Sequence, residues 1–309
     1  MSEIKFITDN GLPYPNWKKI YQENTDNPER TKEPFYTALI KDWVPVLLQN
    51  LGQPFELMES ETTIYYTYFK GRTAKDRFYI ILDVRKKLLE VFGNIVPKEY
   101  VGKQLIIEIQ DSENYYKYIS HYFTEKDQDT GEVIYPQSAG CMVSDGYMHI
   151  VLGHQAKAYL SAIIAHELTH IWLAWYRPPL WLNEGVATNA EAIFTGAQSA
   201  YFQESNVERA FEKWTADLFE SFLSGELYKD YKATNMCYRL SFMTVRNMIM
   251  QRIDWLSLLQ KIRDQQDIKQ SILLVTGKTI SDFLPGQIRE DIFGPQNELI
   301  AGQRKKTKR

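Results

Sequence analysis

The sequence predicts an α+β fold, with a small mixed β-sheet in the N-terminal half and a mostly helical C-terminal half. Three observations carry this. Up to about Gln155, segments rich in β-branched and aromatic residues alternate with segments of helical period. Beyond it, apolar residues recur at helical spacing almost throughout, broken at Pro178-Pro179. The 309 residues, 44% of them hydrophobic and 24% charged, are enough for a sizeable core in one large domain or two modest ones.

Taken in order, the first thirty residues are turn-rich and read as an irregular arm. Glu33 to Leu51, "EPFYTALIKDWVPVLLQNL", reads as a helix that Pro45 should kink or divide. "PFELMESETTIYYTYF" is one long strand or a hairpin. Ala74 to Phe92 has helical spacing and stops at Gly93. "KQLIIEIQ" alternates like a strand, and Asp111 and Ser112 are cap candidates for a helix over "DSENYYKYISHYF". Residues 124–137 read as a polar loop. "AGCMVSDGYMHIVLG" reads as short strands around a turn at Asp145-Gly146, and helices follow.

Composition narrows the function. The formal charge of −3 gives no bias toward nucleic acid or membrane, and the basic end (Arg304, Lys305, Lys306, Lys308, Arg309) reads as a solvated tail. Cys141 and Cys237 are too few and too far apart for a disulfide framework or a zinc ribbon. The N-terminus lacks the basic start and apolar stretch of a secretion signal, and no eighteen apolar residues run together. The expected setting is reducing and cytoplasmic, with neither a membrane nor a nucleic-acid partner.

The chemistry concentrates in "AHELTHIWLAWYRPPLWLNEGVA". His166 and His170, two of five histidines, stand at i and i+4 of an apolar helical run, so both imidazoles can reach one ion. Glu167 lies about 100° around the helix, placed to take a proton from water on that ion without ligating it. This is the arrangement of a zinc hydrolase. Catalytic zinc usually takes three protein ligands. A third histidine six residues after His170 is excluded, because that position is Tyr176 and the expected midway glycine is Leu173. The downstream candidates are Glu184 and Glu191. Asn183 can cap a new helix with Glu184 in its first turn, and the prolines let the chain reverse. Glu191 lies two turns deeper, and is either better suited to orienting a ligand histidine or an ordinary residue of a solvated helix face.

"HELTH" followed by "PPLWLNEGVA" resembles the gluzincin metallopeptidases, in particular the compact bacterial peptidase-MA-like group. The specific match runs from His166 to Ala187, and a looser match in element order from about Pro54 to Phe283. The resemblance implies one Zn2+ per chain on His166, His170 and Glu184, Glu167 as general base, and a peptide or protein substrate. It also implies a sheet whose edge strand binds an extended peptide, for which "GYMHIVLG" is the candidate. "NMCYRLSFMTVRNMIM" resembles the family's tyrosine-bearing helix, which makes Tyr238 the candidate oxyanion stabiliser. His149 and His154 precede the active helix, as cleft residues or as ordinary packing and surface histidines.

The implied organisation is an N-terminal arm and helix over 1–52, a gluzincin-like domain over 53–285 divided into 53–175 and 176–285, and a tail over 286–309. In the helical part, "AYFQESNVERAFEKWTADLFESFL" reads as a lid or wall over the cleft. The leading expectation is a zinc-dependent peptidase. The alternative is a catalytically silent peptide-binding or regulatory protein that keeps the metal.

Overall fold

A five-stranded sheet and a set of packed helices account for the two compact units into which the chain divides. The first unit is Met1–Val91 with Val96–Ile171, and the second is Phe92–Ile95 with Trp172–Arg309. The computed structural model describes residues 6–9, 11–25, 33–93, 95–97, 102–122, 139–154, 157–196, 214–230, 232–264 and 267–293. The expected loop at 124–137, the stretch 200–213 of the expected lid and the basic end of the tail lie outside the described residues.

In the first unit, strands β1 (Phe6–Asp9) and β2 (Leu12–Pro15) form an antiparallel hairpin, and α1 (Trp17–Thr25) follows. The N-terminal segment is therefore not an irregular arm. Residues 6–9 and 12–15 pair as strands, and Leu12 and Tyr14 are fully buried in the core. Helix α2 (Glu33–Asn50) runs through Pro45 without dividing. Its Trp43, Val44, Leu47 and Leu48 are completely buried, and this packing outweighs the loss of one backbone hydrogen bond. Leu12, Tyr14, Leu51 and most of the buried residues of α2 thus share one core with the sheet.

The sheet order is β3 (Glu56–Glu59), β4 (Thr63–Thr67), β5 (Gln104–Glu108), β7 (His149–Leu152), β6 (Gly140–Val143). Strands β4, β5 and β7 are parallel, while β3 and β6 run antiparallel at the two edges. β4, β5 and β7 are buried along their whole lengths, as expected for parallel strands covered on both faces. On one face, Ile64, Leu105, Tyr66, Ile107 and Val151 join the core with α2 and α4 (Ser112–Ile119). Asp111 caps α4 by accepting from the Asn114 amide. On the other face, Tyr65 stacks on Phe78 of α3 (Gly71–Phe92), and Leu152 lies near Ile163 of α5 (Lys157–Ala174).

"GYMHIVLG" is therefore not the sheet edge. Its strand β7 pairs with β5 on one side and β6 on the other, so among the described residues the edge on this side is β6. A period-2 pattern shows that a segment is a strand but not which neighbours use its two rows of backbone groups.

The second unit holds the end of α5 and then α6 (Leu180–Thr195), α7 (Ala216–Ser224), a 3-10 turn (Glu226–Lys229) and α8 (Thr234–Met250). After these come α9 (Trp255–Arg263), α10 (Ile268–Thr276), a second 3-10 turn (Ile280–Phe283) and α11 (Gly286–Phe293). The stretch expected as tail thus begins with a helix. Side-chain caps fix three starts, from Thr215, Asp254 and Asp267. Glycines in the left-handed conformation, Gly225 and Gly277, end α7 and α10. Among the described residues no helix is long and apolar enough to cross a membrane.

Candidate metal centre

Helix α5 is apolar nearly all round, with Leu160, Ile164, Ala165, Leu168, Ile171 and Leu173 each at most 2% exposed. A helix enclosed in this way makes polar residues on it costly unless they are engaged. Thr169 satisfies its hydroxyl by donating to the Ala165 carbonyl (2.7 Å). His166 and His170 stand one turn apart, with ring centroids 4.7 Å apart and ring planes at 78°. His166 is half-buried and His170 is 9% exposed.

The chain then turns through Trp175 to Pro179. Arg177 takes a positive φ of 50°, and its amide donates to the Leu173 carbonyl (3.2 Å), closing the helix end. Helix α6 starts at Leu180 with Pro179 as its cap, whose carbonyl accepts from Leu182 and Asn183 (3.0 Å each). Asn183 is therefore not the cap, and Glu184 lies in the second turn instead of the first. Extended Pro179 supplies the non-helical cap, and Leu-Trp-Leu propagates the helix at once.

The candidate ligand atoms of His166, His170 and Glu184 all lie within 4.8 Å of one another. Donors sharing a tetrahedral zinc at about 2.0–2.2 Å stand roughly 3.5 Å apart, so this set is within a small side-chain adjustment of that spacing. Two imidazoles and a carboxylate are also ligand types that zinc takes. The residues fit the ion.

Glu167 is half-buried on the same helix. Burial pushes the Cys141 thiol on β6 up to about 12; a hydrogen bond with Tyr115 opposes this, and the Glu167 charge adds to it. The carboxylate is therefore felt at the edge strand. Glu184 is 8% exposed, and its backbone carbonyl accepts from Thr188 Oγ1 (2.7 Å). Glu191 lies farther along α6 and is partly exposed.

Tyr238 is on α8, half-buried, with its ring edge-on to Tyr228 at 5.7 Å between centroids. The phenol of Tyr228, on the 3-10 turn before α8, lies in the field of Glu184. Burial first raises its pKa, a hydrogen bond with Ser241 opposes this, and the charges of Cys237, Glu184 and Tyr238 add to the rise. Tyr228, in a chain of twenty tyrosines, carries no distinguishing pattern around it, and only the fold singles it out.

His149 does not line a cleft. It is 1% exposed, its Nδ1 donates to the Tyr147 carbonyl (2.6 Å), and its Nε2 accepts from the Tyr118 hydroxyl (2.8 Å). His154 is exposed and bonded through Nδ1 to the Tyr68 hydroxyl. Cys141 and Cys237 are both buried free thiols. No family model matches the chain, and no curated protein matches it.

Proposed function

We propose that this chain is a zinc-dependent metallopeptidase, with His166, His170 and Glu184 as ligands and Glu167 as general base. The observation that carries the reading is the gathering of three donors of the right types, within 4.8 Å, around a helix that also bears a flanking carboxylate.

Bound there, zinc supplies Lewis acidity to water and to the scissile carbonyl. Glu167 receives the proton of the attacking water on a carboxylate oxygen and delivers it to the leaving amine nitrogen. Tyr238 is proposed to donate its phenol hydrogen to the developing oxyanion. An extended substrate pairs with the edge strand β6, whose backbone sets its register with little demand on its sequence. The field of Glu167 at Cys141 supports this placement, since Cys141 belongs to β6. A reducing cytoplasmic setting suits the two free cysteines.

The test is elemental analysis of the full chain purified without added metal, with a peptide-library digest read by mass spectrometry. One zinc per chain and cleavage are expected. Glu167→Gln should keep the zinc and the fold while losing about 10²–10⁴-fold in hydrolysis. A zinc-free wild type, or full hydrolysis by Glu167→Gln, overturns the reading. Zinc without any hydrolysis by the wild type identifies the silent, peptide-binding alternative.

A further inference from the structure

Glu184 stands on a helix whose anchorage lies outside the motif. In the second unit, α6 and α8 approach so closely at Gly185 that a Cβ there would stand 2.5 Å from Val245 Cγ2 and 2.7 Å from the Ser241 carbonyl oxygen. One turn on, Asn189 Nδ2 donates to the Gly185 carbonyl (2.8 Å) and to the Phe242 carbonyl (2.9 Å), tying the two backbones together. Ser241 itself is fully buried, and its Oγ shares a 2.5 Å hydrogen bond with the Tyr228 hydroxyl. That hydroxyl also donates to the Cys237 carbonyl (3.4 Å), so it spans one turn of α8.

Tyr228 is itself held from several directions. Gly225, with φ of 85°, starts the 3-10 turn that carries it, and its ring is stacked on Phe222 (6.1 Å) and meets Tyr238 edge-on. Thr234 Oγ1 donates to its carbonyl (3.2 Å). Burial keeps the phenol protonated, as a hydroxyl must be to donate.

We propose that Tyr228 is a positioning residue for Glu184: with Ser241 it fixes the turn of α8 that abuts Gly185, and so fixes where the neighbouring carboxylate stands for zinc. This rests on the zinc reading above. A carboxylate on a helix free to shift by an ångström would still bind zinc, but more weakly, because supporting interactions of this kind contribute about 10–100-fold to metal affinity.

The experiment measures zinc affinity of the full chain by competition with a chromophoric chelator, with zinc as the only added ligand, alongside thermal unfolding of the metal-free protein. Tyr228→Phe removes one oxygen and keeps the ring. It and Ser241→Ala are each expected to weaken zinc binding about 10–100-fold, and the double variant no more than the worse single one, because the two hydroxyls act as one clamp. Tyr65→Phe, which removes a buried hydroxyl in the first unit, lowers the unfolding temperature and leaves zinc affinity unchanged. If Tyr228→Phe fails to fold, Ser241→Ala carries the test. Zinc affinity within twofold of wild type in the folded variant overturns the clamp and leaves the zinc reading standing. A wild type that binds no zinc overturns both.

Discussion

Gly185 and Ser241 touch so closely that no side chain fits between them: a Cβ on Gly185 would lie 2.7 Å from the Ser241 carbonyl oxygen. In an exposed helix interior, Gly→Ala gains up to about 1 kcal/mol from propensity. Here the added methyl meets backbone and Val245, and overpacking of this kind costs about 1–3 kcal/mol, so the clash outweighs the propensity. Gly185→Ala is expected to lower stability in urea unfolding and to weaken zinc binding through the displaced α6. An unchanged or raised unfolding midpoint would contradict the close packing.

The first unit carries a buried charge pair, Arg77 with Glu108. Arg77 on α3 is 2% exposed and Glu108 on β5 fully buried; they are bonded through Nη2 to Oε1 and Nε to Oε2 (3.2 Å). Tyr65 and Thr67 hydroxyls also donate to Glu108 Oε2, the latter at 2.8 Å, and the guanidinium lies 4.7 Å above the Phe69 ring. Removing one partner strands the other charge, so Arg77→Leu alone should cost about 3–5 kcal/mol. Arg77→Leu with Glu108→Leu should cost clearly less than the sum of the two singles, which a double-mutant cycle in urea measures. Additive losses would mean the two groups are not coupled.

His149 makes the first unit sensitive to acid. Burial pushes its imidazole down to about 4, against the opposing effect of its bond to the Tyr147 carbonyl. Among the described residues, the groups facing it are the Tyr118 hydroxyl and the rings of Tyr122 and Trp43, none of them a charge that would favour imidazolium. The folded state therefore binds fewer protons than the unfolded state between pH 6.5 and 4. Stability is complete above about 6.5 and falls by roughly 3 kcal/mol as pH drops to about 4. His149→Gln should flatten the slope of unfolding free energy over that window. A slope unchanged by the substitution would assign the acid sensitivity elsewhere.

How much of this was legible in the residues follows from the range of the signals involved. The histidine pair, its flanking glutamate and the downstream Glu184 are local in sequence, and their spacing on helices could be read directly. The strands "TIYYT" and "LIIE", the hairpin turn at Gly146 and the cap at Asp111 were legible for the same reason. What was not legible depends on partners distant in sequence. Leu12 and Tyr14 look like part of an arm until Trp43, which donates to the Pro13 carbonyl (2.8 Å), closes over them. The place of β7 inside the sheet depends on β6, and the importance of Tyr228 depends on Ser241 and Gly185. The end of α5 was legible from Pro178-Pro179, but its left-handed residue, Arg177, and the end of α8 at Arg252 were hidden for a different reason. A glycine marks a left-handed end in sequence, and both of these are arginines.

Those arginines give the last expected outcome. Arg177, closing α5, and Arg252, after α8, hold φ of 50° and 53°. An L-residue with a Cβ pays about 1–2 kcal/mol in this region, whereas glycine adopts it freely but loses more chain entropy on folding. The two effects partly offset, so Arg252→Gly is expected to stabilise by somewhat under 1 kcal/mol, a rise of about 2 °C in unfolding temperature. Arg177 is also followed by Pro178, and proline disfavours helical backbone in the residue before it. The turn thus stays closed to continued helix whichever residue stands at 177, and Arg177→Gly should stabilise as much as Arg252→Gly while leaving zinc affinity unchanged. A drop in zinc affinity in Arg177→Gly alone would show that the arginine stiffens the turn between the histidine helix and Glu184, beyond merely ending α5.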